Sequence, residues 1–168
     1  MSKAVKYCLD ANVLIQAWQK YYSPRFCPTY WEVLASFGST NKIFVPEQVY
    51  DEIVRAEDDL SGWLKSSKIP IHKTTTEVTE KLKAIYAANP IHQYLVDNTK
   101  QRSLADPWVI AHAMEENATV VTKEEKVMAP NTTRIKIPNV CDNMNILWVN
   151  DFQFIREVGI QFACTLKA

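Results

Sequence analysis

The stretch Ala4-Val5-Lys6-Tyr7-Cys8-Leu9-Asp10-Ala11-Asn12-Val13-Leu14-Ile15 decides the fold. Its first half is a short apolar run that reads as a buried strand over residues 4–9, and Asp10 falls at that strand's carboxyl end. Val13, Leu14 and Trp18 then take up a helical period. The alternation recurs downstream. Residues 30–37 read as a short helix ending at Gly38, Ile43-Phe44-Val45 as a second strand closed by Pro46, and residues 47–57 as the next helix. The polar middle, 58–100, is expected to be helical with a short strand at 69–71. Within it, Val78, Leu82 and Ile85 make one stripe on a helix over 76–88. Ser103-Leu104-Ala105-Asp106-Pro107 opens a strong helix to residue 117, with Asp106 as N-cap and Pro107 as first helical residue. Strands follow at 118–122, at 134–137 where charged and apolar residues alternate, and at 146–149. Asp151 is expected to cap a last helix that Gly159 stops, before a strand-like 160–162. Strands alternating with helices predict an α/β fold, a three-layer α/β/α sandwich around a mostly parallel central sheet, in one domain spanning 1–168.

Composition narrows the function classes. The 168 residues carry 19 Lys+Arg against 19 Asp+Glu, so no global charge draws the chain to nucleic acid or membrane, and any polyanion site must be local. Gly38, Gly62 and Gly159 lie too far apart for a G-x-G-x-x-G fingerprint or a P-loop. His72, His92 and His112 cannot form H-E-x-x-H, and no Ser sits in G-x-S-x-G. Cys8, Cys27, Cys141 and Cys164 form no C-x-x-C pair and read as reduced thiols of a cytosolic protein. The start carries no signal-peptide pattern and no apolar run approaches about eighteen residues, so a cytoplasmic protein with no membrane partner is expected.

In open α/β sheets, sites gather outside the carboxyl ends of the strands. Asp10 ends the first strand, and Glu124 lies just past the strand that closes at Thr122. Asp106 starts a helix whose N-terminus falls on the same edge, as does the helix after Pro46 that carries Asp51 and Glu52. Carboxylates crowded on one rim repel one another, and a divalent cation is their natural partner; an all-oxygen set favours Mg²⁺ or Mn²⁺ over zinc. Helical periodicity does not choose between Asp51 and Glu52, nor does the pattern choose between Glu124 and Glu125. Asp10 with Asn12, and Asp106 with Pro107, also read as ordinary helix starts.

These residues resemble the motifs of PIN domains, small metal-dependent nucleases. Tyr7-Cys8-Leu9-Asp10-Ala11-Asn12-Val13-Leu14-Ile15 is similar to their opening strand, which ends in Asp. Val45-Pro46-Glu47-Gln48-Val49-Tyr50-Asp51-Glu52-Ile53 is similar to the second motif, where the acid precedes an aliphatic residue. Ala105-Asp106-Pro107-Trp108-Val109-Ile110-Ala111-His112-Ala113 resembles the third, and Val120-Val121-Thr122-Lys123-Glu124 the fourth. The four motifs come in the family's order over about residues 4–137, and the segment beyond resembles one prokaryotic PIN-like subgroup of uncharacterised function. The resemblance implies a PIN-like α/β/α fold and a site of Asp10, Glu52, Asp106 and Glu124, which would act on RNA with Mg²⁺ or Mn²⁺. It further implies that the chain is the toxin of a toxin–antitoxin pair with a bound antitoxin protein, and leaves room for a homodimer. The fourth acid departs from the family, where Asp is commoner than Glu.

Under this reading the reaction is phosphodiester hydrolysis. Asp10, Asp106 and Glu124 would ligate metal, the last directly or through water, and Glu52 would orient the attacking water or complete a second metal position. Asn12 and Thr122 would hydrogen-bond the carboxylates or their waters. Lys123, Lys126 and Arg102 stand near the rim as candidate phosphate contacts. Two other classes compete. A non-catalytic PIN-like module would bind RNA or protein with the same fold. A phosphatase with Asp10 as nucleophile would need a second acid two residues on, where Asn12 stands.

Overall fold

Tyr7, Cys8 and Leu9 are buried on both sides of the first strand, β1 (Tyr7–Leu9), as expected of the centre of a parallel sheet covered on two faces. Cys8 faces one helical layer, its thiol donating to the Val109 carbonyl at 3.5 Å. Tyr7 faces the other, its ring set edge-on to Phe154 at 5.0 Å. A computed structural model of the chain describes residues 5–97, 104–129 and 133–167. Ala4, Arg102 and Ser103, which entered the sequence reading, lie outside the described residues.

β1 pairs in parallel with β2 (Ile43–Pro46) on one side and β4 (Thr119–Val121) on the other. β3 (Ile71–His72) and β5 (Trp148–Val149) extend the sheet, giving an all-parallel order β3-β2-β1-β4-β5. The chain therefore builds outward from β1 to β3, then crosses back to lay β4 and β5 on the other side. The change of direction falls between β1 and β4, where open α/β sheets place a crevice. The α/β architecture with helices flanking a parallel sheet is thus the one the alternation predicts.

After β1 come α1 (Ala11–Gln16), a π-helical turn at Ala17–Tyr21, and α2 (Pro28–Ser39). α2 does not end at Gly38. That glycine is packed so closely on Ile69 that an added Cβ would stand 2.7 Å from the Ile69 Cα, so it serves a close approach rather than a stop. α3 (Glu47–Val54) is shorter than expected, because Asp58 starts α4 (Asp59–Ser66) with a capping box to Ser61. α5 (Thr76–Ala88) falls on the residues its apolar stripe predicts. α6 (Asp106–Glu116) feeds β4, and α7 (Ile137–Asn143) and α8 (Asp151–Val158) complete the set.

Three further local expectations are overturned in the last quarter of the chain. Residues 134–136 are not a strand, and Ile137 already begins α7. Pro138 suits a first helical turn, and the Asn139 side chain accepts from the Lys136 N–H, so capping outweighs the alternating pattern. Asn150, not Asp151, caps α8, in a reciprocal bond with Gln153. Residues 160–162 form no strand; Phe162 instead stacks on Tyr22 at 5.1 Å. No helix among the described residues is long and apolar enough to cross a membrane.

Candidate active site

Asp10 leaves β1 at the sheet's carboxyl edge and is 2% exposed. Its backbone N–H donates to Val121 on β4, and Thr122 Oγ1 donates to its Oδ2 at 2.9 Å, so the bond spans the gap where the chain reverses direction. No Lys or Arg among the described residues lies within ion-pair distance of it. Burial pushes its carboxyl up to about 7 against the lowering effect of the Thr122 hydroxyl, and the charges of Glu124 and Glu52 add to the rise.

A cleft of about 530 Å³ opens on this edge, walled by Asp10, Asn12, Gln48, Glu52, Arg55 and Asp106 among others. Asp106 is buried at the start of α6, but Ala105 takes the N-cap position, so Asp106 is the first helical residue and not the cap. There its carboxylate stands at the positive end of the helix field. Asp51 and Glu52 both border the cleft and both are exposed, so burial does not separate them; the charge of Glu52 reaches Asp10. Desolvation raises the Glu52 carboxyl more than the nearby Arg55 guanidinium lowers it. Asn12 lies exposed on the first turn of α1.

Glu124 sits beside this cleft and outside its lining. Its Oε1 accepts from Lys136 Nζ at 2.8 Å, and its Oε2 from the Ile137 N–H at 2.9 Å, at the start of α7. Its own N–H donates to Thr122 Oγ1 at 3.1 Å, which links it to Asp10 through one hydroxyl. Glu125 is exposed. The loop bearing Glu124 is clamped to α7 by Asn139, which accepts from the Val127 N–H and donates to the Val127 carbonyl. Hence the rim gathers Asp10, Glu52 and Asp106 in one cleft, with Glu124 turned to α7.

The three basic residues singled out in the sequence stand differently. Lys123 is nearly buried, bonded to Asp151 at 2.7 Å and lying over the rings of Tyr21 and Phe152. Lys126 pairs with Asp142. Arg102 lies outside the described residues. Among the described residues, Arg55 stands on the cleft wall and Lys136 on Glu124, two cations beside the carboxylates that sequence reading passed over. Spacing on α3 placed Arg55 three residues from Glu52, a visible signal; Lys136 lay hidden in the stretch read as a strand.

Among the described residues, no three His, Cys, Asp or Glu side chains stand grouped to hold a metal ion. The donor set nevertheless suits a hard divalent cation. Asp10, desolvated and without an ion-pair partner among the described residues, shares the cleft with Asp106, Glu52 and Gln48, and the Gln48 Oε1 is buried with no hydrogen-bond donor among them. Oxygen donors needing positive charge are what Mg²⁺ or Mn²⁺ binds.

The chain matches the family described as "Domain of unknown function (DUF4411)" over residues 7–162, and it belongs to that family. No curated protein matches it. Among solved structures it is similar to the crystal structure of VapBC2 from Rickettsia felis bound to a DNA fragment from their promoter. The likeness has a TM-score of 0.55 at 18% identity and covers 87% of this chain and 98% of that chain. It is a likeness of fold.

Proposed function

We propose that the protein is a Mg²⁺- or Mn²⁺-dependent endoribonuclease of the PIN type. The observation that carries this reading is Asp10, a buried carboxylate at the reversal point of a parallel sheet, sharing a cleft with Asp106 and Glu52. The four motifs in family order and the fold likeness to VapBC2 support it. Asp10 and Asp106 would hold the ion, with Glu124 as a further carboxylate once released from Lys136. A bound divalent ion supplies a lowered pKa for the attacking water and offsets charge on the phosphate. Glu52, whose carboxyl is raised, would orient that water and take its proton as the water oxygen bonds to phosphorus, while the phosphorus–oxygen bond to the leaving nucleotide breaks and its oxygen takes a proton from solvent. Thr122 fixes the Asp10 carboxylate, and Asn12 hydrogen-bonds waters at the cleft mouth.

In this reading the chain is a cytoplasmic toxin silenced by an antitoxin protein, with a homodimer as a further assembly. One observation favours a second reading, a non-catalytic module binding RNA or protein: both Glu124 oxygens are engaged by α7 and Lys136. Melting temperature against Mn²⁺ concentration separates the two. The nuclease reading expects a saturable rise in the wild type that Asp10→Asn abolishes; no rise in the wild type favours the binding module.

A further inference from the structure

The rim is acidic, yet its reading as a nuclease demands that a polyanion lie across it. Strand order brings one cation-bearing segment to each side of Asp10. Asp10 ends the central β1; Glu52 and Arg55 follow β2 on one side of it, and Glu124 and Lys136 follow β4 on the other. Arg55 closes α3 on the cleft wall, exposed, and makes no ion pair among the described residues. Lys136 precedes α7, half-exposed, its ammonium held 2.8 Å from Glu124 Oε1. The charges of Asp106 and Asp10 also reach that ammonium, which places it within electrostatic range of the rim. Lys123 and Lys126 are held on Asp151 and Asp142, outside the cleft lining, whereas Lys136 is held by Glu124 beside the cleft, so Arg55 and Lys136 stand on either side of Asp10.

We propose that Arg55 and Lys136 are the phosphate-binding residues of this chain, gripping the backbone of a single-stranded RNA on opposite sides of Asp10. The assignment rests on the ribonuclease reading. Glu124 is then a positioning residue as it stands: it holds the Lys136 ammonium at the rim, and the ammonium exchanges that carboxylate for a phosphate when RNA arrives. A guanidinium and an ammonium suit phosphate oxygens without reading base identity, so the grip is sequence-tolerant and salt-sensitive.

The test is fluorescence anisotropy with a labelled single-stranded RNA in chelator, in an Asp10→Asn background that prevents turnover, over about 50–300 mM salt. Arg55→Gln and Lys136→Gln are each expected to weaken binding about threefold to tenfold. Each should also flatten the slope of log affinity against log salt by roughly 0.7–1, one phosphate contact apiece. Arg55→Lys and Lys136→Arg should restore most of both. Lys136→Gln can still hydrogen-bond Glu124, so a purely structural Lys136 would leave RNA affinity and slope intact in that variant. Unchanged affinity and slope in both Gln variants, with Mn²⁺-dependent cleavage by the otherwise wild-type chain, overturns this assignment and leaves the nuclease standing. Absence of RNA binding by the parent protein, with no cleavage by the wild type, overturns both.

Discussion

At the scale of the residue, Asp10 couples the site to stability. Burial pushes its folded carboxyl up to about 7, against about 3.9 in an unfolded chain. Between those values the folded state binds the extra proton, so metal-free protein should lose stability as pH rises from about 4 to 7, by as much as about 4 kcal/mol. Asp10→Asn removes the ionisation and should flatten that profile, leaving the variant as stable as wild type or more so at neutral pH. Urea midpoints at several pH values in chelator check this; a steeper or unchanged profile in the variant would show that another group governs it. Glu124 and Glu125 make a second contrast. Glu124→Ala removes two charge-assisted hydrogen bonds, one from Lys136 and one from the Ile137 N–H of α7, and should cost about 1–3 kcal/mol by denaturant unfolding. Glu125→Ala, at an exposed position, should stay within about 0.5 kcal/mol. Equal costs would mean that Glu124 is as idle structurally as its neighbour. The grip of Glu124 on Lys136 and Ile137 was not legible in the sequence, because both partners lie in a segment whose alternation imitates a strand.

At the scale of the element, two glycines inside helices should respond in opposite directions. Gly38 in α2 touches Ile69, and Gly38→Ala would force the helix off its neighbour at about 1–3 kcal/mol. Gly62 in α4 has open space where a Cβ would go, so Gly62→Ala should raise stability by about 0.5–1 kcal/mol. Thermal unfolding of both variants reads the contrast, and a stabilised Gly38→Ala would contradict the packing described. Where a helix reports itself through periodicity the sequence was readable residue by residue, as in α5 with Val78, Leu82 and Ile85. Where capping decides, it was readable only to within a residue or a turn. Asp106 and Asp151 look like caps, but Ala105 and Asn150 hold those positions, and both aspartates are buried instead. Residues 134–137 failed for the same reason: Pro138 and the Asn139 clamp are local chemistry that a two-residue period does not register.

At the scale of the molecule, the strand order explains why residues far apart in the chain meet. Placing β2 and β4 on either side of β1 brings the segments after all three to one edge, and the reversal between β1 and β4 puts Thr122 on Asp10. The α/β class and the shared edge were legible because strand-then-helix alternation carries both. The bracketing by Arg55 and Lys136 was not, since it depends on strand order, which no local pattern encodes. The central claim is that this edge hydrolyses RNA with a divalent cation held by Asp10. Its most direct test is the rate at which a labelled single-stranded RNA is cleaved by wild type and by Asp10→Asn, in Mn²⁺ and in excess chelator. The account predicts cleavage by wild type in Mn²⁺ alone, falling at least about a hundredfold in folded Asp10→Asn. Turnover by wild type in excess chelator, or a wild-type rate in Asp10→Asn, would contradict it.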